Sequence, residues 1–481
     1  MKLKALYSPI NLCLLIASIL LLVYTGYRCF MLSFTHDESF SFIHYVNSSV
    51  ADIISYNLNP IIANSHTLNT LSMKWLGGLF GNSEFVLRFH SFLAHIIYLI
   101  FTYLILKEFN SKFILIFGFI ILNCNPYLLD FFSLARGYAL SISLMIASIY
   151  FFVKYTKNEK NNFIYLSLLL SILSVLANFS LISFSAALIV VFELFILLKR
   201  DLTKTVLIKN IPITLTVAVL FLIYNGPIKV LVDHNELSFG GQSGLWSDTV
   251  MSSIYCYLYN SSYSDSFIVF FKFLVVFVSI SSLIILYKQI KDKSLNSFSY
   301  ISLIFFLILL LNIFQHLFLK GSYFMERFAL FIVPLFFFSL LHVVNYLINQ
   351  SKYLVIVSYI ISSLTIACAL TILSSINTTH CYTWQYDASS KDMLHDLSKE
   401  KTPNTKIKLG ITWLFEPSIN FYRETKHLNW LEPVNRDGLV GDYDYFYVDS
   451  NDLNSFDTTN TIRLKTYPIS GATLFKKRNK D

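Results

Sequence analysis

Charged residues are scarce in this sequence, in which Asp, Glu, Lys and Arg make up only 14% of 481 residues. Soluble globular proteins carry roughly 25% charged residues. The chain therefore lacks the charge that an ordinary water-exposed surface needs, and a purely soluble globular class is excluded. Its 55% content of hydrophobic residues indicates a surface that faces lipid over most of the chain.

Cysteine is also scarce, and its positions exclude two further kinds of stabilisation. The six cysteines form no CxxC pattern and no His/Cys cluster, and most lie within apolar runs: Cys13, Cys29, Cys124, Cys256, Cys368 and Cys381. A free cysteine in such a run behaves as a small hydrophobic residue. We therefore expect neither a zinc site nor a disulfide framework.

The net charge of +8 does not indicate a nucleic-acid partner. The basic residues are not gathered into one patch with interleaved aromatic residues but punctuate the apolar runs. Basic residues in that arrangement mark the cytoplasmic ends of membrane helices. We therefore expect membrane lipids, and no nucleic acid, as partners.

Apolar runs that are long enough to cross a membrane recur along the first 375 residues. A bilayer core requires about 20 apolar residues in a helix. Runs of this kind occur at 5–27, 85–106, 113–130, 138–153, 206–224, 266–287, 299–319, 328–348 and 353–375. The first run follows Lys2 and Lys4 but is longer than a signal peptide and has no cleavage site, so we interpret it as a spanning helix.

The apolar stretch 163–198 is too long for one crossing and just long enough for two. Basic residues flank both of its ends: Lys154, Lys157 and Lys160 before it, and Lys199, Arg200 and Lys204 after it. Because both groups favour the cytoplasm, an even number of crossings must separate them. We predict a helical hairpin that bends at residues 177–180, about eleven crossings in total, and an extracytoplasmic C-terminus.

This topology gives two long outer loops, 28–84 and 225–265, within a membrane domain that spans residues 1–375. The tail, 376–481, has charged residues throughout and is predicted to form a small soluble α/β domain outside the membrane. Its predicted elements are helices at 387–399 and 416–425, and strands at 406–412, 442–449, 462–467 and 472–477.

Ionisable residues near a membrane face are costly unless they are paired or functional. His36-Asp37-Glu38 follows the first helix and places two adjacent carboxylates at the mouth of an apolar bundle. Such carboxylates serve as a general base or as ligands of a divalent cation. A plain helix cap that faces water is the alternative interpretation.

Other polar residues of the predicted outer face are candidates for substrate binding. Asn64, His66 and Asn69 are suited to hydrogen-bond sugar hydroxyls, and Arg88 either joins them or pairs with Glu84 one helical turn away. Arg136 and Arg327 border spanning helices, where a guanidinium group grips phosphate or extends toward lipid headgroups. Two such arginines at one membrane face favour a phosphate site.

These segments occur in the order found in the C-type (GT-C) glycosyltransferases. They are His36-Asp37-Glu38, Asn64-x-His66-x-Leu68-Asn69-Thr70, the stretch from Phe80 to Phe89, Pro126 with Ser133-x-Ala135-Arg136-Gly137-Tyr138, and Glu326-Arg327-x-x-Leu330-x-x-x-Pro334. Over roughly residues 1–350 the chain resembles the bacterial relatives of protein O-mannosyltransferases and of the lipid A aminoarabinose transferase. Many of these relatives carry His-Pro-Pro in the first outer loop, where this chain has His66-Thr67-Leu68.

The resemblance implies an all-α polytopic bundle in the bacterial cytoplasmic (inner) membrane. It implies a hexosyl or pentosyl transferase that uses a polyprenyl-phosphate-linked sugar and a glycan, lipid or protein acceptor. Asp37 is then the catalytic base, and Glu38 is a second catalytic carboxylate or a ligand of a possible divalent cation. The candidate substrate-binding residues are His36, Asn64, His66, Asn69, Arg88, Arg136, Tyr138, Glu326 and Arg327.

Two other functions fit a polytopic chain. A lipid-linked-oligosaccharide transporter or flippase would carry ionisable residues or broken helices near the bilayer midplane, whereas the charges of this chain crowd the predicted outer rim. An O-antigen polymerase or ligase would be expected to place its main basic residues in a large late outer loop, whereas this chain has an acidic pair in its first loop. We therefore expect a glycosyltransferase.

Overall fold

The computed structural model describes residues 8–63, 65–198, 204–236, 240–259, 265–402 and 406–478. A helical bundle is followed by a small domain built on a four-stranded sheet. The bundle helices are α1 (Pro9–Met31), α2 (His36–Tyr45), α3 (Val50–Ser55), α4 (Thr67–Phe80), α5 (Glu84–Lys107), α6 (Lys112–Asn123), α7 (Pro126–Phe131), α8 (Gly137–Asn158), α9 (Asn161–Ala177), α10 (Ile182–Leu198), α11 (Lys204–Asp233), α12 (Ser252–Tyr257), α13 (Asp265–Lys291), α14 (Ser297–Leu319), α15 (Ile332–Ile348) and α16 (Lys352–Leu373).

Within the described residues, eight helices are long and apolar enough to cross a membrane. Three shorter apolar helices, α6, α9 and α15, coincide with three further predicted crossings. The predicted fold class, a polytopic helical bundle with a C-terminal α/β domain, is therefore confirmed. Lys199 and Arg200, on which the topology argument partly depends, lie outside the described residues.

The hairpin predicted for 163–198 is present as α9 and α10. The break falls at Asn178, whose backbone is extended (φ −155°, ψ 117°) and whose side chain accepts a hydrogen bond from Ser180 N at 3.1 Å. A short 3₁₀ turn, Phe179–Leu181, then leads into α10. The single polar interruption in an apolar run of 36 residues is thus the bend.

Two predicted membrane segments differ from the observed helices. The 113–130 run is divided into α6 and α7, because Pro126 disfavours helical geometry at the preceding Asn125. Asn125 instead caps α7: its side chain accepts a hydrogen bond from Leu128 N at 3.1 Å. The 206–224 run continues to Asp233 with Pro212 and Pro227 inside the helix. The outer loop 225–265 is therefore shorter than predicted.

The first outer loop, predicted for 28–84, is largely helical, because α1 extends to Met31 and α2, α3 and α4 follow. Helix α2 begins where its sequence supplies a capping box, Thr35-x-x-Glu38. Glu38 Oε2 accepts hydrogen bonds from Thr35 N at 2.9 Å and from Thr35 Oγ1 at 3.0 Å. Asp37 consequently lies in the first turn of a helix.

The tail contains α17 (Ser390–Lys399), β1 (Leu409–Ile411), α18 (Glu416–Thr425), β2 (Tyr445–Val448), β3 (Thr461–Thr466) and β4 (Thr473–Lys477). The strand order is β1-β2-β4-β3, with β1 parallel to β2 and the other two pairs antiparallel. Helix α18 is the crossover between the parallel strands. The predicted helices and strands of the tail are confirmed, with shorter strands. The division at residue 376 stays a prediction.

The tail domain packs directly on the segment that carries α2. Phe34 stacks on Phe421 of α18 at 4.1 Å between ring centroids, and Phe42 meets the same ring edge-on at 5.1 Å. Both belong to the buried cluster formed by the sheet and α18. The first turn of α2 is therefore held between the membrane bundle and the tail.

Candidate functional site

Helix α2 directs its two adjacent carboxylates to different environments. Glu38 is fully buried and forms an ion pair with Arg88 of α5, with 2.8 Å from Nε to Oε1 and 2.7 Å from Nη2 to Oε2. Its Oε1 also accepts a hydrogen bond from Ala135 N at 2.5 Å. Because both Glu38 oxygens are occupied by protein donors, this carboxylate is a structural centre of the site.

Arg88 has a structural position as well. Its guanidinium donates to the carbonyls of Cys29, Leu32 and Ser33 at 2.9–3.3 Å, which satisfies the C-terminal end of α1. The alternative pairing of Arg88 with Glu84 is wrong, because Arg88 points into the bundle. Glu84 instead faces the tail, where Lys391 and Lys426 lie at 3.7 and 3.6 Å.

Asp37 meets the two arginines that the sequence singled out. Its Oδ2 lies 3.4 Å from Arg136 Nη2 and 3.6 Å from Arg327 Nη2. Arg136, which precedes α8, also donates to Asp37 O at 3.3 Å and to Ser41 Oγ at 3.2 Å. The Arg327 side chain is 25% exposed, so the group is accessible from its side.

The electrostatic balance at Asp37 favours an ionised carboxylate. Burial acts to raise the pKa of Asp37, but Arg136 and Arg327 outweigh burial and hold this pKa below its ordinary value. Within the described part of the chain, Asp37 Oδ2 is at ion-pair distance from both guanidinium groups yet accepts no hydrogen bond. The site therefore combines an available anionic oxygen with two cations.

His66 and Tyr138 line the same group. The His66 ring meets Tyr138 edge-on at 5.0 Å. Burial, followed by Arg136 and Arg327, lowers the pKa of His66 well below its ordinary value, so its imidazole is neutral. Its Nε2 has no hydrogen-bond partner among the described residues, which leaves a buried donor or acceptor beside the arginines.

Four other candidates are turned away from the Asp37 carboxylate or lie outside the described chain. Asn69 Oδ1 accepts a hydrogen bond from His90 Nε2 at 2.7 Å, and Asn69 is completely buried. The side chain of Glu326 lines a neighbouring cavity. Asn64 lies outside the described residues. His36 is turned toward the tail, where its Nδ1 is 2.7 Å from Leu414 O.

The sequence interpretation missed Trp384 and Asp387, which come from the tail. The Arg327 guanidinium lies over the Trp384 ring, 5.2 Å from its centroid. Asp387 Oδ2 accepts a hydrogen bond from His36 N at 2.6 Å. The available sequence signal for these residues was the group of aromatic residues Tyr382, Trp384 and Tyr386 after the last spanning helix. Nothing in the sequence pattern indicates that this segment folds back onto the first outer loop.

An apolar cavity adjoins the arginine side of the site. It is lined by Ile121, Leu122, Leu128, Leu330, Val333 and Phe337, with Asn125 and Glu326 at its polar side. Glu326 directly precedes Arg327 in the chain. The apolar walls of this cavity are therefore linked to the arginine group through the neighbouring residues Glu326 and Arg327.

The donor set does not fit a divalent cation. Both oxygens of Glu38 are occupied by Arg88, Thr35 and Ala135. Asp37 faces two guanidinium groups, which occupy the position that a cation would take. No group of three or more His, Cys, Asp and Glu side chains arranged for a metal occurs in the described residues. The arginines themselves supply positive charge.

These features define a polytopic membrane protein, and its fold is similar to that of a solved membrane protein. The chain is similar to ArnT from Cupriavidus metallidurans bound to undecaprenyl phosphate, with a TM-score of 0.52 and 9% identity over 96% of this chain and 97% of that one. The apo state of the same ArnT gives a TM-score of 0.53 with equal identity and coverage. No protein-family model matches the sequence, and no curated protein matches it.

Proposed function

We propose that this protein is a membrane glycosyltransferase that transfers a sugar from a polyprenyl-phosphate carrier to an acceptor hydroxyl at the outer face of the cytoplasmic membrane. The observation that carries the proposal is Asp37 Oδ2 between Arg136 and Arg327, at 3.4 and 3.6 Å, beside an apolar cavity. A sugar donor with a phosphate and a lipid chain matches that combination. The GT-C fold and the undecaprenyl phosphate bound to ArnT support it.

The reaction needs a base and a site for the departing phosphate. The bond between the acceptor oxygen and the anomeric carbon forms as the bond from that carbon to the phosphate oxygen breaks. The hydroxyl proton passes to Asp37, and the electron pair of the broken bond leaves on the lipid phosphate, whose charge Arg136 and Arg327 hold. Because phosphate is a good leaving group, no strong general acid is required. A single displacement inverts the anomeric centre.

Binding of the donor activates the base in this scheme. In the structure, both arginines depress the pKa of Asp37, which makes its carboxylate a weak proton acceptor. A donor phosphate that pairs with the exposed Arg327 guanidinium weakens the interaction of Arg327 with Asp37. One of the two interactions that lower the pKa of Asp37 is then reduced. The basicity of Asp37 then rises when the donor is in place, so the chemistry is linked to donor binding.

The distribution of lysines supports action at the outer face. Helices α5, α8 and α15 begin beside the site, and Lys107, Lys157 and Lys352 lie at or just beyond their other ends. Lys157 and Lys154 there pair with Glu108 at 2.5–2.6 Å. Basic residues concentrate on the cytoplasmic side of membrane proteins, so this distribution supports an outer location for the Asp37 end.

The test measures transfer and donor binding separately. We expect Asp37→Asn to reduce transfer from a radiolabelled polyprenyl-phosphate sugar by about 10²–10⁴-fold, the usual contribution of base catalysis, while donor binding persists. Arg327→Lys keeps the charge but loses the planar fork, so it should weaken donor binding. Asp457→Asn, a change of an exposed tail carboxylate, is the control. Near wild-type turnover of Asp37→Asn would contradict the proposal.

A further inference from the structure

The helix that carries Asp37 is positioned largely by the tail domain. Four contacts join residues 33–36 to it: Ser33 Oγ to Ala388 O at 3.0 Å, Phe34 N to Tyr422 Oη at 2.7 Å, His36 N to Asp387 Oδ2 at 2.6 Å, and His36 Nδ1 with Leu414 O at 2.7 Å. Two of these satisfy backbone amides at the start of α2. The tail therefore fixes where the first turn of α2, and with it Asp37, is located.

The connection between the last spanning helix and the tail is anchored within the bundle. Arg28 and Asp130 form a buried ion pair at 2.5 Å. Arg28 donates to Asn377 O at 2.6 Å and to His380 O at 2.9 Å, and Asp130 accepts from Tyr382 N at 2.8 Å. Trp384 follows two residues later. Its location is thus set by the bundle.

Trp384 lies against the more exposed arginine of the site. It is 3% exposed, and the Arg327 guanidinium lies 5.2 Å from the centroid of its ring. A cation over an aromatic face is attracted by the ring. A single tail residue thereby restrains Arg327, the more exposed of the two candidate phosphate ligands.

We propose that the tail domain supplies two positioning residues for the reaction, Trp384, which orients Arg327, and Asp387, which holds the first turn of α2. This inference rests on the proposed function and extends it, because it makes the tail a part of the catalytic centre. The bundle alone does not complete the site.

The first test replaces Trp384 by Leu in the full chain. The aromatic face under Arg327 is lost, while an apolar side chain remains. We expect the KM for the donor to rise about tenfold, within the range for losing a cation–π contact, with kcat changed less. Trp430→Leu makes the same change at a half-buried position of the same domain and should leave the KM for the donor unchanged.

Rescue by a second aromatic residue distinguishes positioning from a merely structural role. Phe at position 384 keeps a ring face for the guanidinium group, although a Trp ring attracts it most strongly. The KM for the donor should therefore rise less in Trp384→Phe than in Trp384→Leu. At position 430 the Phe and Leu variants should have the same KM for the donor.

The second test concerns Asp387. Burial raises the pKa of this carboxyl well above its ordinary value, so Asn is a close replacement that still accepts from His36 N. We expect Asp387→Asn to retain most of kcat and Asp387→Ala to lose about tenfold, as for a lost hydrogen bond at a buried position. The matched control is Asp449→Asn, a buried tail carboxylate that accepts from Asn451 N at 3.0 Å.

Each outcome decides the matter. A wild-type KM for the donor in Trp384→Leu, or equal activity of the two Asp387 variants, would overturn the inference and leave the proposed function intact. A wild-type chain that transfers no sugar from the polyprenyl-phosphate donor would overturn both. Equal loss of thermal stability in Trp384→Leu and Trp430→Leu, with activity lost in both, would reduce Trp384 to a structural residue and overturn the inference.

Discussion

At the scale of single residues, the adjacent carboxylates of α2 have divided roles. Glu38 is held by Arg88, Thr35 and Ala135, whereas Asp37 keeps an oxygen that accepts no hydrogen bond in the described structure. The Thr35-x-x-Glu38 capping-box pattern was a sequence signal that Glu38 has a structural role. The ion pair with Arg88 joins residues 50 positions apart, and no local pattern predicts such a contact.

A double-mutant cycle on Glu38 and Arg88 tests this division. Breaking a buried ion pair leaves an uncompensated charge, so Glu38→Gln and Arg88→Gln should each destabilise the protein by about 3–5 kcal/mol. The double variant should lose less than the sum, because neither charge is then left alone. Thermal unfolding in detergent is the measurement. Additive losses, or rescue of Glu38→Gln activity by raised divalent cation, would favour a metal-ligand role for Glu38 instead.

At the scale of elements, the site depends on a close approach of three chain segments at the start of α8. A Cβ atom on Gly137 would lie 1.9 Å from Ala177 O and 2.8 Å from His66 Cβ. The first contact is with backbone, which cannot rotate away. Gly137 therefore allows the end of α9 and the start of α4 to approach Arg136 closely. A glycine after Arg136 is visible in the sequence, but these neighbours are not.

We expect Gly137→Ala to destabilise the bundle and to displace His66 and Arg136. Overpacking at a tight site costs about 1–3 kcal/mol, and sugar transfer should fall because Arg136 moves relative to Asp37. The matched control is Gly78→Ala on α4, where an added Cβ meets nothing within 4 Å. That change should be neutral or stabilise the helix by about 0.5–1 kcal/mol. Thermal unfolding and donor binding are the readouts, and a stable, fully active Gly137→Ala would refute the packing argument.

The element boundaries that sequence reasoning missed both involve proline. Asn125-Pro126 is a dipeptide typical of a turn, but averaging hydropathy over the 113–130 run conceals it. Asn225-Gly226-Pro227 also looks like a turn, yet α11 continues through it. Proline within a membrane helix is tolerated when neighbouring groups satisfy the freed carbonyl. Hydropathy and local motifs thus locate membrane helices better than they locate their ends.

At the scale of the whole molecule, patterns of charge and hydropathy were sufficient for the fold class but not for the assembly of the site. Hydrophobic run length predicted the helices, flanking lysines predicted the α9–α10 hairpin, and strand-like alternation predicted β2. Asp37, Arg136 and Arg327 were all candidates before the structure. The return of the tail onto α2 was not predictable, since it depends on long-range contacts such as Arg28 to Asn377 and Phe34 to Phe421.

Because the tail contacts the first turn of α2, which carries Asp37, the side of the membrane on which the tail lies determines the side of the chemistry. Ser455 is exposed in a turn of the tail, and Asp292 is exposed between α13 and α14 beside Lys291 and Lys293. We expect Ser455→Cys to react with a membrane-impermeant maleimide in intact spheroplasts, since basic residues hold the Asp292 turn in the cytoplasm. Asp292→Cys should react only after lysis.

The natural chain supplies the background for this labelling, because Cys13 is its one exposed cysteine among the described residues and lies on the apolar helix α1. The two engineered positions must give opposite results in intact spheroplasts. Labelling of neither position would indicate a failed reagent and labelling of both would indicate broken membranes, whereas the reversed pattern would indicate a wrong topology. Labelling of Asp292→Cys in intact spheroplasts, with Ser455→Cys protected, would place the tail and Asp37 inside. The acceptor would then have to be cytoplasmic, and the proposed reaction at the outer face would be refuted while the geometry of the site stood unchanged.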